Sequence, residues 1–295
     1  MNLPKPTSLY LCLVYIAFWF CNPVLGQDLP RSSPGGQTEQ IVGLTKVKIT
    51  YGRPSVKGRT GQIWGKLVPY GSVWRTGANE ATVIEFEDDV KLGNKNLKAG
   101  KYALLTVPQK KGEWLVILNK DTALWGVDNY DATKNEFTAS AQVAKNTFTE
   151  TMTFEIGDLL PNSAVLIMRW ENLALRIPIE VYTVQKAQKN ILKAVDNAQK
   201  GDWQVFARSA NYYKDNKLDT EQALQWIEQA IVIKPEHFYP YWVKAELLAQ
   251  KKDYVGAVAN ANKALEIGIK AEGAKFTYKE AINKQIMDWN TNIKQ

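Results

Sequence analysis

The strongest constraint on this chain is a change of hydrophobic period near residue 182. Before it the pattern has period two. Val47 and Ile49 stand between Lys46, Lys48 and Thr50, as a half-buried strand requires. Further strands are expected at 82–86, 102–107, 114–118, 137–144, 147–156, 164–170 and 173–181, with Glu171-Asn172 as a two-residue turn between the last pair. Short strands separated by Gly and Asn turns predict an antiparallel β-sandwich, jelly-roll-like, over residues 41–182. After Tyr182 glycine becomes scarce and apolar residues recur at helical spacing. Helices are expected at about 184–199, 202–216, 219–233, 237–251, 253–267 and 271–291. A chain of 295 residues accommodates both parts. The fold class is therefore α+β and multidomain, a β-sandwich followed by an α-helical array over 183–295.

The helical part carries an internal repeat. Asn211 and Ala245, Ala223 and Ala257, and Ala230 and Ala264 stand 34 residues apart. That is the tetratricopeptide period, with small residues where paired helices approach closely and Pro235 closing the first repeat. The match covers two repeats and departs from the family pattern. Asn211 or Ala245 stands where the first helix has Gly, and Ile269 replaces the proline of the second repeat. Two repeats do not close a core alone, so the first and last helices are expected to cap the array. Trp226, Trp242 and Trp289 are read as packing between helices, with a partner-lined groove as the alternative.

The N-terminal residues are read as separate from the fold. Lys5 precedes an almost wholly apolar run at 8–20, and Val24-Leu25-Gly26 offers small residues for cleavage before Gln27. Residues 1–26 thus read as a secretory signal peptide, too short in its apolar run for a comfortable membrane span. Residues 27–40, rich in Pro, Gly and Ser, read as a flexible leader. The protein is then expected to be exported, periplasmic or secreted, without a membrane span after cleavage. Both cysteines, Cys12 and Cys21, fall in the removed segment, and His237 is the single histidine. A His- or Cys-based nucleophile system and a His/Cys zinc site are therefore not expected. No cofactor and no metal are expected. The net charge of +7 becomes +6 without Lys5, and outside the cytoplasm that surplus fits solubility or attraction to anionic envelope polymers rather than nucleic acid.

Residues 49–82 mix functional group types that neither a core strand nor a linker needs together. Arg53, Lys57, Arg59, Lys66 and Arg75 are interleaved with Tyr51, Trp64, Tyr70 and Trp74 and punctuated by glycine and proline. The run Tyr51-Gly52-Arg53-Pro54-Ser55, the stretch from Val56 to Arg59, and Leu67 through Thr82 resemble the bacterial family called domain of unknown function 2911. The motifs 97–102, 119–121 and Trp125-Gly126 add to the resemblance. It extends over about 47–181 and implies an exported protein, in some members with helical repeats behind the sandwich. It brings no established activity.

The residues themselves carry the functional reading. Arg75 offers a planar fork of donors for a carboxylate or phosphate. Glu80 offers an acceptor or a general base, and is the candidate catalytic residue. Asn79 donates and accepts, and Gly77 permits close approach. Trp64, Trp74 and Trp125 would wall the pocket, with Arg53 and Arg59 as further ligand-binding candidates. A structural role is the competing reading: an Arg75–Glu80 ion pair with Asn79 capping a turn, and Arg53 and Arg59 held by Glu85, Glu87 or Asp128. Glu80 with Asp128 or Asp131 is a conceivable hydrolytic pair. The segment 128–131 is read as a turn with solvated acids rather than a cation site.

Three functions follow as expectations. The first is an exported binding or scaffolding protein of the cell envelope, with a sandwich pocket for a small polar or anionic ligand and a helical surface for a protein or peptide partner. The second is a carboxylate-dependent hydrolase of envelope carbohydrate or peptide. The third is a purely structural assembly protein.

Overall fold

A computed structural model describes residues 29–93 and 95–294; the expected signal segment lies outside them. The chain forms β1 (Gly35–Val42), β2 (Thr45–Gly52), β3 (Thr82–Phe86), β4 (Val90–Leu92), β5 (Lys95–Leu97), β6 (Gly100–Val107), β7 (Trp114–Asn119), β8 (Asn135–Leu160) and β9 (Ser163–Val181). All pair antiparallel in one nine-stranded sheet, in the order β1-β2-β3-β6-β7-β8-β9-β4-β5. Consecutive strands are mostly neighbours, and the short β4–β5 hairpin crosses over to the far side of β9.

The sheet turns about β8. The first part of this strand, to Ala141, pairs with β7, and the part from Gln142 pairs with β9. Its far half then faces β1 and β2: the Thr38 hydroxyl donates to the Phe154 carbonyl at 3.0 Å, and the Phe154 N–H donates to the Tyr51 hydroxyl at 2.9 Å. The main core lies inside this curl and gathers Ile49, Phe86, Leu104, Trp114, Phe154 and Leu166 with their neighbours. A second apolar cluster, Ala81, Ala103, Leu105, Ile117 and Leu124, covers the outer face of β6 and β7. Those two strands are buried on both faces. That is why their sequences run apolar without alternation.

Three sequence expectations need correction. The leader expected over 27–40 includes most of β1, which pairs along its whole length with β2, from Gly35 opposite Gly52 to Val42 opposite Thr45. Its alternating Thr38, Gln40 and Val42 gain ladder partners that a composition rich in polar residues conceals. The pairs of strands expected at 137–156 and 164–181 are two long bent strands. Glu171 is a bend in β9 rather than a turn: it adopts a left-handed φ of 52° and is buried. The connection of β8 to β9 is instead Pro161-Asn162, between Leu160 and its ladder partner Ser163.

Behind the sheet follow α1 (Thr183–Asp196), α2 (Trp203–Asp215), α3 (Thr220–Ile233), α4 (Phe238–Gln250), α5 (Tyr254–Glu272) and α6 (Lys279–Ile293). The last two differ from expectation. α5 runs on to Glu272, and a short turn of 3-10 helix, Gly273–Lys275, precedes α6. Two clusters hold the helices. One gathers Ala207, Ala210, Tyr213, Ala223, Trp226, Ile227 and Ala230; the other gathers Trp242, Ala245, Ala257, Ala261, Ala264 and Trp289. The repeated alanines 223 and 257, and 230 and 264, have no exposed surface. Trp226, Trp242 and Trp289 are also buried, and Trp242 stacks on Trp289 with ring centroids 5.9 Å apart.

Candidate functional site

The polar-aromatic stretch singled out in the sequence lies mostly in the long connection from β2 to β3. It has few strand contacts of its own and is fixed by a small number of specific ones. Trp74 exchanges both backbone hydrogen bonds with Thr106 of β6, at 2.7 and 2.9 Å. Thr76 and Asn79 take left-handed φ values of 53° and 63°, so the segment folds tightly over the end of β2. Gly52 makes this approach possible, since a Cβ there would stand 2.0 Å from the Ala78 carbonyl. Gly77 is needed for the same reason: its Cβ would meet the Thr82 hydroxyl at 2.8 Å.

Beneath this loop four indoles meet. Trp64 packs edge-on against Trp74, Trp114 and Trp170, with centroids 5.7, 4.8 and 5.5 Å away, and Trp74 stacks on Trp170 at 6.0 Å. The Trp74 N–H donates to the Gly77 carbonyl at 3.1 Å, which ties the loop to the aromatic floor. Above the floor opens a cavity of about 320 Å³. Lys57, Arg59 and Arg75 line it, Trp74 and Trp170 form its aromatic part, and among the described residues no carboxylate lines it.

One wall is the segment just before β1. The Arg31 guanidinium donates to both oxygens of Glu80, at 2.8 and 3.0 Å. Asn79 donates to the Ser33 carbonyl at 2.9 Å, Lys57 donates to the Ser32 carbonyl at 3.3 Å, and the Arg53 N–H donates to the Pro34 carbonyl at 2.9 Å. Residues 31–34 are thus a strap laid along the rim of the cavity.

The candidate residues separate into distinct places. Arg59, Trp74 and Arg75 line the cavity. Trp64 lies in the aromatic cluster beside Trp170. Arg53 braces the sheet, its guanidinium donating to the Met152 carbonyl at 3.1 Å and the Thr153 hydroxyl at 3.0 Å. Arg59 is held by its own loop through the Val56 and Ser55 carbonyls, at 2.9 and 2.7 Å, and not by Glu85, Glu87 or Asp128. Trp125 is 63 % exposed and pairs by a backbone bridge with Glu80, away from the cavity. Glu80 does not pair with Arg75. Asn79 and Glu80 hold the strap.

Electrostatics follow this division. The hydrogen bonds from Arg31 hold the Glu80 carboxyl below the ordinary carboxylate value, helped by the backbone. Burial holds the Arg75 guanidinium below its ordinary value, while the nearby charge of Asp128 works in the opposite direction. Asp131 caps the short turn after it by accepting from the Thr133 N–H at 2.9 Å. Among the described residues no group of three or more His, Cys, Asp or Glu side chains could hold a metal ion.

Two participants were missed in the sequence. Trp170 lies about a hundred residues beyond the loop, and only the return of β9 beneath it places the indole there. Lys57 was noted in the stretch but not among the site residues. Its Ser32 contact depends on a strap read as flexible.

A larger cavity, of about 690 Å³, lies where α1 meets the sheet. Its charges are largely matched: Lys186 pairs with Glu87 and Asp88, and Lys98 with Asp89.

A family model described as protein of unknown function (DUF2911) matches residues 33–179. No curated protein and no solved structure matches the chain.

Proposed function

Residues 33–179 belong to the DUF2911 family, whose description names no activity, and from the geometry we propose that this chain is an exported binding protein of the cell envelope whose sheet domain takes a small anionic ligand. One observation carries the reading: three cationic side chains and an indole floor converge on a cavity whose lining, among the described residues, holds no acid. Cations that outnumber the acids around a cavity raise the local concentration of anions and orient them.

In this reading the curled sheet serves as a sandwich-like ligand module and the helices as a tetratricopeptide-like array. The 34-residue spacing supports the second part. It relates not only the buried alanines but also the N-caps Asp219 and Asp253, each of which accepts from the N–H three residues on, of Gln222 and Gly256. Exposed Val232, Val255 and Met287 give the array apolar points for a protein or peptide partner. The hydrolase reading has less support. Glu80 is exposed, ion-paired and outside the cavity lining.

A thermal-shift comparison tests the proposal. Small anions should raise the melting temperature of the wild type, because a ligand that binds only the folded state stabilises it. Arg75→Ala should melt cooperatively and lose that shift. A wild type that responds to no anion would sink the reading.

A further inference from the structure

Three buried side-chain polar atoms, among the described residues, lack a hydrogen-bond partner: Nε1 of Trp64, Nε of Arg75 and Nε1 of Trp170. All three are donors. Arg75 and Trp170 line the basic cavity, and Trp64 packs against Trp170. Trp170 is only 1 % exposed, so its N–H cannot turn to solvent. An unmet buried donor loses its hydration without gaining a partner, and native proteins carry few of them. Their collection around one cavity therefore needs a cause.

Four carbonyls at the cavity show the opposite state. The Ser32 carbonyl takes Lys57, the Ser33 carbonyl takes Asn79, the Ser55 carbonyl takes Arg59, and the Gly77 carbonyl takes Trp74. With those four carbonyls spent, the buried side-chain atoms left unpartnered around the cavity, among the described residues, are N–H donors. A polyol, which must donate as well as accept, matches this poorly. An oxyanion matches it.

We propose that the cavity binds the phosphoryl group of a small organic phosphate, with Arg75 Nε and Trp170 Nε1 donating to its oxygens and Lys57 and Arg59 supplying further positive charge. This rests on the anion-binding reading above and narrows it. A carboxylate presents one negative charge and two acceptor oxygens. A phosphomonoester presents nearly two charges at neutral pH and three acceptors, closer to three cations and two free donors. The volume of about 320 Å³ exceeds what bare phosphate fills and lies at the small end of ligand pockets. The indole rings of Trp74 and Trp170 then meet the organic part.

The experiment is calorimetric titration of the purified protein with glucose 6-phosphate, inorganic phosphate, glucuronate and glucose. The sugar phosphate should bind most tightly, inorganic phosphate more weakly, glucuronate at least about tenfold more weakly than the sugar phosphate, and glucose not measurably. Because the second phosphate pKa is about 6, affinity for the sugar phosphate should fall about fourfold between pH 7.5 and 5.5. Trp170→Phe keeps an aromatic ring and removes the N–H; Arg75→Lys keeps the charge and removes Nε. Each should weaken binding about tenfold, the worth of a hydrogen bond to a charged group. Trp125→Phe, at an exposed indole outside the cavity lining, should change affinity less than about twofold. If Trp170→Phe does not fold, Arg75→Lys carries the test alone. Glucuronate binding as tightly as the sugar phosphate, or a folded Arg75→Lys with unchanged affinity, would overturn the phosphoryl assignment and leave an anion site standing. No binding of any anion to a cooperatively melting wild type would overturn both.

Discussion

Glu80 illustrates how one residue's role depends on a partner that sequence proximity does not suggest. Its nearest arginine in the chain is Arg75, yet it accepts from Arg31, 49 positions earlier. Both side chains are more than half exposed, so the pair contributes about 0.2–1 kcal/mol. The sign of its pH dependence is fixed by the lowered carboxyl value. Stabilisation is fully present above the unfolded value, about pH 4.3, and is lost as pH falls through the lower folded value. Glu80→Gln should therefore melt slightly below wild type at pH 7, and the two curves should converge once the pH is low enough to protonate the folded carboxyl. Retention of the gap at that pH would show that the substitution disturbs packing rather than the ion pair. Because Glu80 and Asn79 hold the strap at the cavity rim, ligand affinity in Glu80→Gln should change by less than a factor of about three, a result that also separates it from a catalytic acid.

Among the elements, α4 carries a titration near neutral pH that bears on helix packing. His237 is its N-cap, and the imidazole Nδ1 accepts from the Tyr239 N–H at 3.2 Å. The ring also packs on Trp203, with centroids 4.4 Å apart. Burial lowers its pKa, Lys234 adds to that, and Glu272 and Glu236 oppose it. The unfolded chain therefore takes up a proton first, near about pH 6.5, and stability declines as pH falls from there through the folded value. Asn is among the best N-caps and does not titrate. His237→Asn should keep a melting temperature close to wild type at about pH 7.5 and show a smaller decline as pH falls below about 6.5. Parallel pH profiles for the two proteins would show that the cap does not sense protons. The existence of this helix was legible from periodicity, as was that of the other helices and most strands. The continuity of β8 and β9 was not. Residues 145–146 and Glu171-Asn172 look like breaks between strands in sequence. In the fold they are matched irregularities where two long strands bend together, and Glu171 is buried because its carboxylate accepts from the Gly61 N–H. The site was legible in its loop, where arginines and indoles crowd together, and illegible in Trp170 and the strap, which only pairing distant in sequence brings there.

At the scale of the whole molecule the question is whether sheet and helices share one core. The main sheet cluster draws on residues from Val42 to Val181, and the two helical clusters, with the residues packed on them, begin at Ile191. Among the described residues no apolar cluster crosses between them. What joins the parts is polar: Lys186 to Glu87 and Asp88, the Tyr182 hydroxyl to Asn96 at 2.7 Å, and the Thr183 hydroxyl to the Pro161 carbonyl at 2.9 Å. Gly43 admits this last contact, since a Cβ there would stand 2.0 Å from the Thr183 hydroxyl. Partly exposed ion pairs and single hydrogen bonds contribute about 1 kcal/mol or less each. Ending the chain after Tyr182 should therefore leave a sheet domain that unfolds cooperatively, with a melting temperature lower by only about 2–8 °C, given about 2–4 °C per kcal/mol at this size. The same truncated protein should retain the phosphate affinity of the full chain, because every residue lining the cavity lies before Tyr182. Loss of cooperativity, or a fall of more than about 15 °C, would mean that α1 completes the sheet's core and that the two parts fold as one. Intact folding with lost affinity would place a helical residue in the ligand site, a contact that the cavity between the strap and the indole floor does not contain.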